Sequence, residues 1–530
     1  MNNVHVLDCT LRDGGYCNDW KFGYYNIIKI IDGLVETNID IIECGFLTNK
    51  VEPDPERTKF KTLEDISKVI PKNREGKYFV AMMNYGEYNI EDLPDYNGSS
   101  IDGIRVAFHK KNRYEALEIC KKIKEKGYLV FIQAMVSLNY TDEEFLELIT
   151  KVNELLPYSF YIVDSFGTMK RKDLTRLFYM VEHNLERDIW IGFHSHNNMQ
   201  LAYSNAQNLA TIQTNRDLII DTSVFGMGRG AGNLNTELFI EFLNDNIEKK
   251  YYIKPLLRLI DEVINSFYQR NYWGYSLPNY ISAAHNAHPN YASYLDEKKT
   301  LSIEDMNEIF NMMDVEKKVY FDKRYIEELY LKHMEANIIK EKHKSDLEII
   351  FKGKKILLIG PGKSSVDEKS KIIALCKNDD IISISINYKY EFCETDYIFV
   401  SNIRRFKELD HDYLSRCIIT SNIVSDEAYY QIKYRDLLND IEAVRDNAVL
   451  MAIKFLIHFG ADHVFLAGID GYSHNVADNY GNDNMVLFTK NALLDSMNIG
   501  MSKVLSTYNK EISIEFLTTP KYVYLNNDES

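Results

Sequence analysis

The sequence predicts an α/β protein: a (β/α)8 TIM barrel with a helical extension, followed by a C-terminal Rossmann-like α/β domain. Three observations predict it. Apolar runs of strand length alternate with helical patterns, eight strands over about 245 residues. A mostly helical stretch and a lysine-rich polar linker at 337–355 come next, and then a fresh strand, glycine turn and helix. A length of 530 residues also calls for two or three domains. The expected division is 1–249 for the barrel, 250–345 for a helical extension capping it, and 350–530 for the second domain.

The first strand is Val4–Cys9, and Thr10–Tyr16 with its Gly14-Gly15 pair follows as a loop. Apolar strands recur at Ile39–Cys44, Tyr78–Met83, Gly103–Ala107, Leu129–Ala134, Phe160–Val163, Ile189–Phe193 and Leu218–Val224. Helices at Asn26–Thr37, Arg113–Lys126, Asp142–Leu155, Arg171–Asn184 and Gln200–Ala210 separate most of them. Within 250–345 an aromatic-rich turn, Trp273–Tyr280, leads to His285 and His288 and is placed to cap the barrel mouth. The second domain starts with Lys355–Ile359 running into Gly360-Pro361-Gly362-Lys363-Ser364-Ser365. Strands then end at Asn387 and at Ser401-Asn402, and another spans Cys417–Thr420. A helix, Ala448–His458, feeds Val464–Ala467 and Gly468-Ile469-Asp470-Gly471.

Composition narrows the partners. The net charge is −16 and the pI about 5.4, which argues against nucleic acid, because phosphate backbones need a basic face. One small anionic ligand in a local pocket remains compatible. The seven cysteines (9, 17, 44, 120, 376, 393, 417) are scattered with no C-x-x-C pair and read as reduced thiols. No signal-peptide pattern opens the sequence and no run of about 18 apolar residues occurs, so a cytoplasmic protein without a membrane partner is expected, as a homo-oligomer.

Barrel chemistry gathers at the C-terminal ends of the strands. The polar residues there are Arg12, Asp13, Glu43, Asn84, His109, Gln133, Asp164, Ser165, His194 and His196, followed by the glycine-rich loop 226–233. Two histidines at i and i+2 on a strand leave one face together. With Asp13 opposite they form one carboxylate and two imidazoles with open positions, which suits a catalytic divalent ion. Asn233 could add a neutral oxygen. A 2-oxo acid could bind such an ion, and Arg12 would place a permanent cation beside the developing enolate oxygen. In the second domain, the turn at Gly360, Gly362 and Ser364 opens a helix whose backbone N–H groups can hold phosphate.

These motifs resemble a known superfamily. Thr-Leu-Arg-Asp-Gly at 10–14, His-Ser-His-Asn-Asn at 194–198 and Gly-x-Gly-x-Gly-Ala-Gly-Asn at 226–233 look like the DRE-TIM metallolyases. The Gly-Ala-Gly-Asn loop and Gly-Tyr-x4-Tyr at 274–280 favour the 4-hydroxy-2-oxovalerate aldolase branch. Over residues 1–295 the resemblance implies Mn²⁺ or Mg²⁺ (Zn²⁺ is the third option) and aldol or retro-aldol chemistry through a pyruvate enolate, with a 2-oxo acid and an aldehyde as partners. It implies Asp13, His194 and His196 as metal ligands, Arg12 as the enolate-stabilising arginine and Tyr280 as a substrate-site tyrosine. It also implies a histidine base where this chain has Tyr16. An unperturbed tyrosine titrates near pH ~10, so Tyr16 would donate a proton or orient water, and His285, His288 and then His109 are the substitutes.

The region 350–500 resembles bacterial sialyltransferases of the Rossmann-like type, through Gly-x-Gly-x-Ser at 360–364, Asn387, Asn402 and the segment 460–472. That resemblance implies a CMP-linked or other nucleotide-linked sugar held by Gly360, Gly362, Ser364, Asn387, Asn402 and Asp470. A catalytic histidine expected beyond Asp470 has no counterpart, since His474 is the last histidine of the chain. The combined expectation is a metal-dependent 2-oxo acid aldolase fused to a sugar-nucleotide-binding domain, in surface-glycan or unusual-sugar synthesis. The alternatives are Claisen-type acyl transfer to a 2-oxo acid and a non-catalytic binding protein.

Overall fold

The computed structural model describes residues 3–298, 300–335, 344–482, 487, 489 and 491–525. The chain divides into two compact units: residues 1–293 with 315–321, and residues 294–314 with 322–530. The segment 250–345 is thus shared between two units instead of forming one extension. The linker expected at 337–355 is helical over Lys344–Phe351, and its residues 337–343 lie outside the described ones.

The first unit is built on eight parallel strands: β1 Asn3–Asp8, β2 Ile41–Leu47, β3 Tyr78–Asn84, β4 Gly103–Phe108, β5 Leu129–Ala134, β6 Ser159–Asp164, β7 Trp190–Ser195 and β8 Asp217–Thr222. Neighbours pair in sequence order, and β1 pairs with both β8 and β2, so the sheet closes on itself. The two-residue strand Lys59–Phe60 adds to the end of β2. The helix Asp142–Leu155 starts where Thr141 and Glu144 form a capping box, which pins its boundary in the sequence. The expected loop after β1 is wound into a helical turn Thr10–Asp13 and a 3-10 turn Gly14–Cys17. The reason lies in Cys9, whose carbonyl accepts both the Arg12 and the Asp13 N–H. That winding buries Arg12 and Asp13.

Inside the barrel an apolar layer of Leu7, Cys9, Ile41, Val80, Phe131, Tyr161, Val163 and Ile219 fills the axis. Gly192 on β7 makes room for it: a Cβ there would stand 2.3 Å from the Tyr161 ring on β6.

The second unit carries a seven-stranded parallel sheet: β9 Lys355–Ile359, β10 Ile381–Ile386, β11 Tyr397–Val400, β12 Cys417–Thr420, β13 Tyr430–Ile432, β14 His463–Ala467 and β15 Ser513–Phe516. Its order is β13-β12-β11-β10-β9-β14-β15, so the winding direction reverses between β9 and β14. In such sheets ligands bind outside the strand ends at that reversal. The sequence marks both flanking turns with glycine but misses β13 and β15, which are short edge strands. It also misses a disulfide. Cys376 and Cys393 are bonded to each other, which corrects the reading of all seven cysteines as free thiols. The other five form no disulfide, and four of them are buried. No helix of the described residues is long and apolar enough to cross a membrane.

Gly192→Ala should force the Tyr161 ring out of its place and destabilise the barrel by about 1–3 kcal/mol. The check is the thermal transition of the first unit; an unchanged midpoint would mean that the ring has room the packing denies.

Candidate functional site

Asp13, His194 and His196 meet at the C-terminal end of the barrel. Each is buried, and each offers a ligand atom within 4.8 Å of the others'. The elements fix them one by one. Asp13 ends the helical turn after β1. His194 is the fifth residue of β7. His196, one step past that strand, bridges to Asn233 in the loop after β8. Nδ1 of His194 lies 2.9 Å from Asp221 Oδ2, which leaves its Nε2 for a ligand. An anionic second partner of this kind orients metal-binding imidazoles.

A fully buried ion network stands beneath these groups. Arg12 Nε donates to Glu43 Oε2 at 2.8 Å and its Nη1 to Asp13 Oδ1 at 2.5 Å. Arg105, with no solvent exposure, places Nη1 2.8 Å from the same Glu43 oxygen and donates through Nη2 to Asp221. Its guanidinium also lies 4.9 Å from the Tyr161 ring centre. Glu43, Arg105, Tyr161 and Asp221 come from β2, β4, β6 and β8, the alternate strands that share a layer in such barrels. That layer is ordinarily branched and apolar; here it is charged. Glu43 was visible in the sequence as a strand-end residue, but Arg105 and Asp221 were not. Each sits inside an apolar strand pattern, and a single charge in such a run is the signal that could have found them.

Electrostatics prepares the group for a cation. Burial would raise the Asp13 carboxyl, but Arg12, with His196, His194 and Arg229, overrides it and holds it well below the usual carboxylate range. Burial pushes His196 down to about 3 against the pull of Asp13, so the ring is neutral at pH 7. Three buried atoms converge here with no hydrogen-bond partner among the described residues: His196 Nδ1, Asn233 Oδ1 and Arg12 Nη2. Asn233 Nδ2 is spent on Asp13 Oδ2 at 2.6 Å, which turns Oδ1 the other way. Orphaned buried polar atoms cost free energy unless a ligand takes them. Two acceptors with lone pairs, beside an ionised carboxylate, fit a divalent cation, and the donor Arg12 Nη2 fits an anionic oxygen next to it.

The other expected residues fall at different distances from this centre. Tyr16 is 41% exposed, with the Arg229 guanidinium 5.1 Å over its ring and Trp20 edge-on at 4.7 Å. Tyr280, on the helix Leu277–Ala284, is also 41% exposed, and its hydroxyl makes no hydrogen bond among the described residues. His285 ends that helix, half-buried. His288 is the histidine that reaches the mouth: it packs on Phe166 beyond β6 and feels His196, Arg229 and His109. Burial first, and those neighbours next, push it down to about 3, so it is a weak base. Its Nδ1 accepts the Asn290 N–H, which leaves Nε2 as the donor of the neutral ring. His109 is also lowered by burial, Lys111 and Arg229, and stacks edge-on with Tyr320. Trp273 donates from Nε1 to Phe225 O, which seats the aromatic turn against the loop after β8.

In the second unit the glycine turn is already filled. The Ser364 N–H donates to Asp470 Oδ2 at 2.8 Å, and Ser364 Oγ donates to Oδ1. A Cβ on Gly362 would lie 2.6 Å from Gly468 O and 2.9 Å from the Asp470 carboxylate. The carboxylate therefore occupies the place expected for phosphate. Asn387 accepts the Ser401 N–H, and Asn402 caps the helix Ile403–Lys407 by accepting from Arg404 and Arg405. Both asparagine oxygens are engaged inside the fold. Beside the turn a cleft of about 280 Å³ is lined by Tyr388, Tyr390, Phe392, Ser365 and Asn482. A second histidine–carboxylate group, Asp305, Glu308 and His333, lies elsewhere in this unit, but Asp305 is committed to capping Ser302.

Residues 104–261 match the HMGL-like family model. The chain is similar to a 4-hydroxy-2-oxovalerate aldolase from Geobacillus genomosp. 3, with 27% identity over 245 residues, 46% of this chain and 70% of that protein. It is similar to an oxaloacetate decarboxylase from Mycobacterium tuberculosis, with 25% identity over 242 residues, 45% of this chain and 69% of that protein. Among solved structures, the N-terminal domain of a Bacteroides vulgatus protein provisionally called an aldolase aligns with a TM-score of 0.48 and 27% identity, over 57% of this chain and 98% of that one.

Two outcomes follow from the geometry. Asp221→Asn should weaken Mn²⁺ binding by about 10–100-fold in calorimetric titration, whereas Arg105→Ala should cost about 3–5 kcal/mol of barrel stability, because two buried carboxylates, Glu43 and Asp221, lose the cation they share. The second concerns pH. In metal-free protein the folded His288 stays neutral down to about 3, while in the unfolded chain it takes up a proton below its ordinary 6.5. Its contribution is full above pH 6.5 and is lost as pH falls toward 3. Urea unfolding of His288→Gln should therefore show a shallower loss of stability than the parent across that window.

Proposed function

We propose that the first unit is a divalent-metal-dependent aldolase or lyase that makes or breaks a carbon–carbon bond next to a 2-oxo acid. The observation that carries this reading is the set of orphaned buried atoms: two acceptors beside Asp13 and one arginine donor beside them. Asp13, His194, His196 and Asn233 would hold the ion, which would supply Lewis-acid polarisation of the 2-oxo group. Mn²⁺ and Mg²⁺ are the favoured ions; the two neutral imidazoles leave Zn²⁺ open.

The chain's own residues account for the remainder. Arg12, held by Glu43 and Asp13, aims Nη2 at the oxygen where enolate charge develops. In cleavage the proton leaves the 4-hydroxyl, the C3–C4 bond breaks, an aldehyde departs, and the electron pair comes to rest on the enolate oxygen. Carbon 3 then takes a proton to give the 2-oxo acid. Tyr16 orients the water that takes the 4-hydroxyl proton in this reading, since burial weakens His288 and His109 as bases. His288 instead offers its Nε2–H as a hydrogen-bond donor at the mouth. The aldolase and decarboxylase names of the two relatives support an enolate shared by both reactions.

The second unit, on this reading, binds a nucleotide-linked sugar for surface-glycan or unusual-sugar synthesis. Its support is the parallel sheet and the aromatic cleft at the reversal between β9 and β14. With Asp470 on the Ser364 N–H, such a ligand would seat by base and sugar on Tyr388, Tyr390 and Phe392. Calorimetric titration with CMP and other nucleotides tests it, and the absence of binding to any of them would end this part of the reading.

For the first unit, added Mn²⁺ should support exchange of the pyruvate methyl protons in D2O, followed by NMR. Arg12→Ala should lower that rate by about 10²–10³-fold, and Asp13→Asn should abolish metal dependence. Tyr16→Phe should slow aldol cleavage more than oxaloacetate decarboxylation, because decarboxylation removes no hydroxyl proton. Protein that neither binds a stoichiometric divalent ion nor exchanges pyruvate protons would sink the proposal.

A further inference from the structure

Arg229 is a cation that the enolate chemistry does not use. It stands in the loop after β8, and the backbone on either side of it is locked against the site. A Cβ on Gly228 would lie 2.2 Å from Asn233 Nδ2 and 2.8 Å from Asp13 Oδ2. A Cβ on Gly230, at φ +67°, would lie 2.7 Å from Asn198 Oδ1. The side chain between those glycines turns into the mouth, with its guanidinium 5.1 Å over the Tyr16 ring. Arg229 Nε is buried with no hydrogen-bond partner, and among the described residues no carboxylate lies within ion-pair distance of the group.

The groups that face it are Tyr16, Asp13, His196, His288 and His109. The only anion among these is Asp13, whose two oxygens are taken by Arg12 and Asn233. Lys111 adds a second positive charge beside His109. A cation left this way in a partly buried site costs stability unless a ligand completes it. The whole chain carries −16, so this local positive field is set against the sign of the molecule. A guanidinium presents a planar fork of donors that matches a carboxylate.

We infer that Arg229 is a specificity-determining residue that holds a second carboxylate of the substrate, so that the enzyme prefers dicarboxylic 2-oxo acids to monocarboxylic ones. The inference rests on the enolate reading above. The carboxylate and oxo group at the reacting end belong to Arg12 and the Asp13–His194–His196 group. Arg229 serves the other end, with the His288 Nε2–H as a neighbouring donor.

The test compares two reactions of the Mn²⁺-loaded full chain, pyruvate proton exchange and oxaloacetate decarboxylation, as a ratio of kcat/KM values. Arg229→Gln should lower that ratio at least tenfold, mostly through KM for oxaloacetate, and Arg229→Lys should restore part of it. Calorimetric titration supplies a readout apart from turnover: oxaloacetate and phosphonopyruvate are titrated into the loaded wild type and variant. Weaker oxaloacetate binding in the variant supports the assignment. A loss confined to phosphonopyruvate would overturn the carboxylate in favour of a phosphate-like group. A ratio within twofold of the parent, in a variant that melts and binds Mn²⁺ as the parent does, would overturn the role of Arg229. Failure of the wild type to exchange pyruvate protons would instead strike the enolate reading itself.

Discussion

The constraint on which the first unit depends is the burial of Arg105. A guanidinium with no solvent exposure must be neutralised within reach of its own atoms, and Glu43 of β2 and Asp221 of β8, on the far side of the barrel, do this. Taking such charges out of water costs several kcal/mol per ion before pairing returns it, so an apolar layer would be the cheaper core. What the charged layer gives is direction. Glu43 also takes Arg12, and Asp221 also takes His194. One buried cation therefore fixes the two carboxylates that orient both Arg12 and the His194 imidazole. Moving Arg105 would strip one counter-charge from both carboxylates at once, and such interlocked pairing favours rigidity in a single geometry.

That rigidity separates two levels of the barrel. Below, the ions are paired and the geometry is closed. Above, at the mouth, Arg12 Nη2, His196 Nδ1, Asn233 Oδ1 and Arg229 Nε end without partners. Other buried atoms also lack partners, among them Glu43 Oε1 and Asp221 Oδ1 in the layer below; on the proposed reading, those at the mouth outline a cation within reach of Asp13 and anionic oxygen on both sides of it. The protein's acidity does not oppose this, because its surface charge is screened within about 10 Å at ordinary salt while these groups are buried.

Much of the first unit was legible because its signals are periodic or paired. The helices Asp142–Leu155 and Arg171–Asn184 and the strand Leu129–Ala134 have the ends read from the sequence. Asp13, His194 and His196 were readable as a group because barrel topology brings strand ends together whatever their separation. The supporting layer was not. Arg105 and Asp221 look like interruptions of apolar strands, and only the closed sheet shows that they face each other. His285 and His288, three apart, are equivalent in sequence; the turn after Ala284 decides that His288 meets Phe166 and the mouth. Cys376 and Cys393 could not be paired from spacing, since contact between them follows from the path of β10 and the helix before it.

The second unit shows why a glycine turn is weaker evidence than a strand-end cluster. Glycine at 360 and 362 permits close approach of something to the backbone, and the sequence does not say what. Here the approaching group is the chain itself: Gly468 O and the Asp470 carboxylate fill the turn, and Thr518 completes the bonds of Ser364. An internal carboxylate at a helix N-terminus satisfies the same N–H groups and the same dipole as a phosphate would, without a ligand. The two cases differ in what is left over. At the barrel mouth the internal partners run out and buried atoms remain unpaired. At the glycine turn Asp470 answers the Ser364 N–H and hydroxyl, and the next space for a guest is the aromatic cleft beside it.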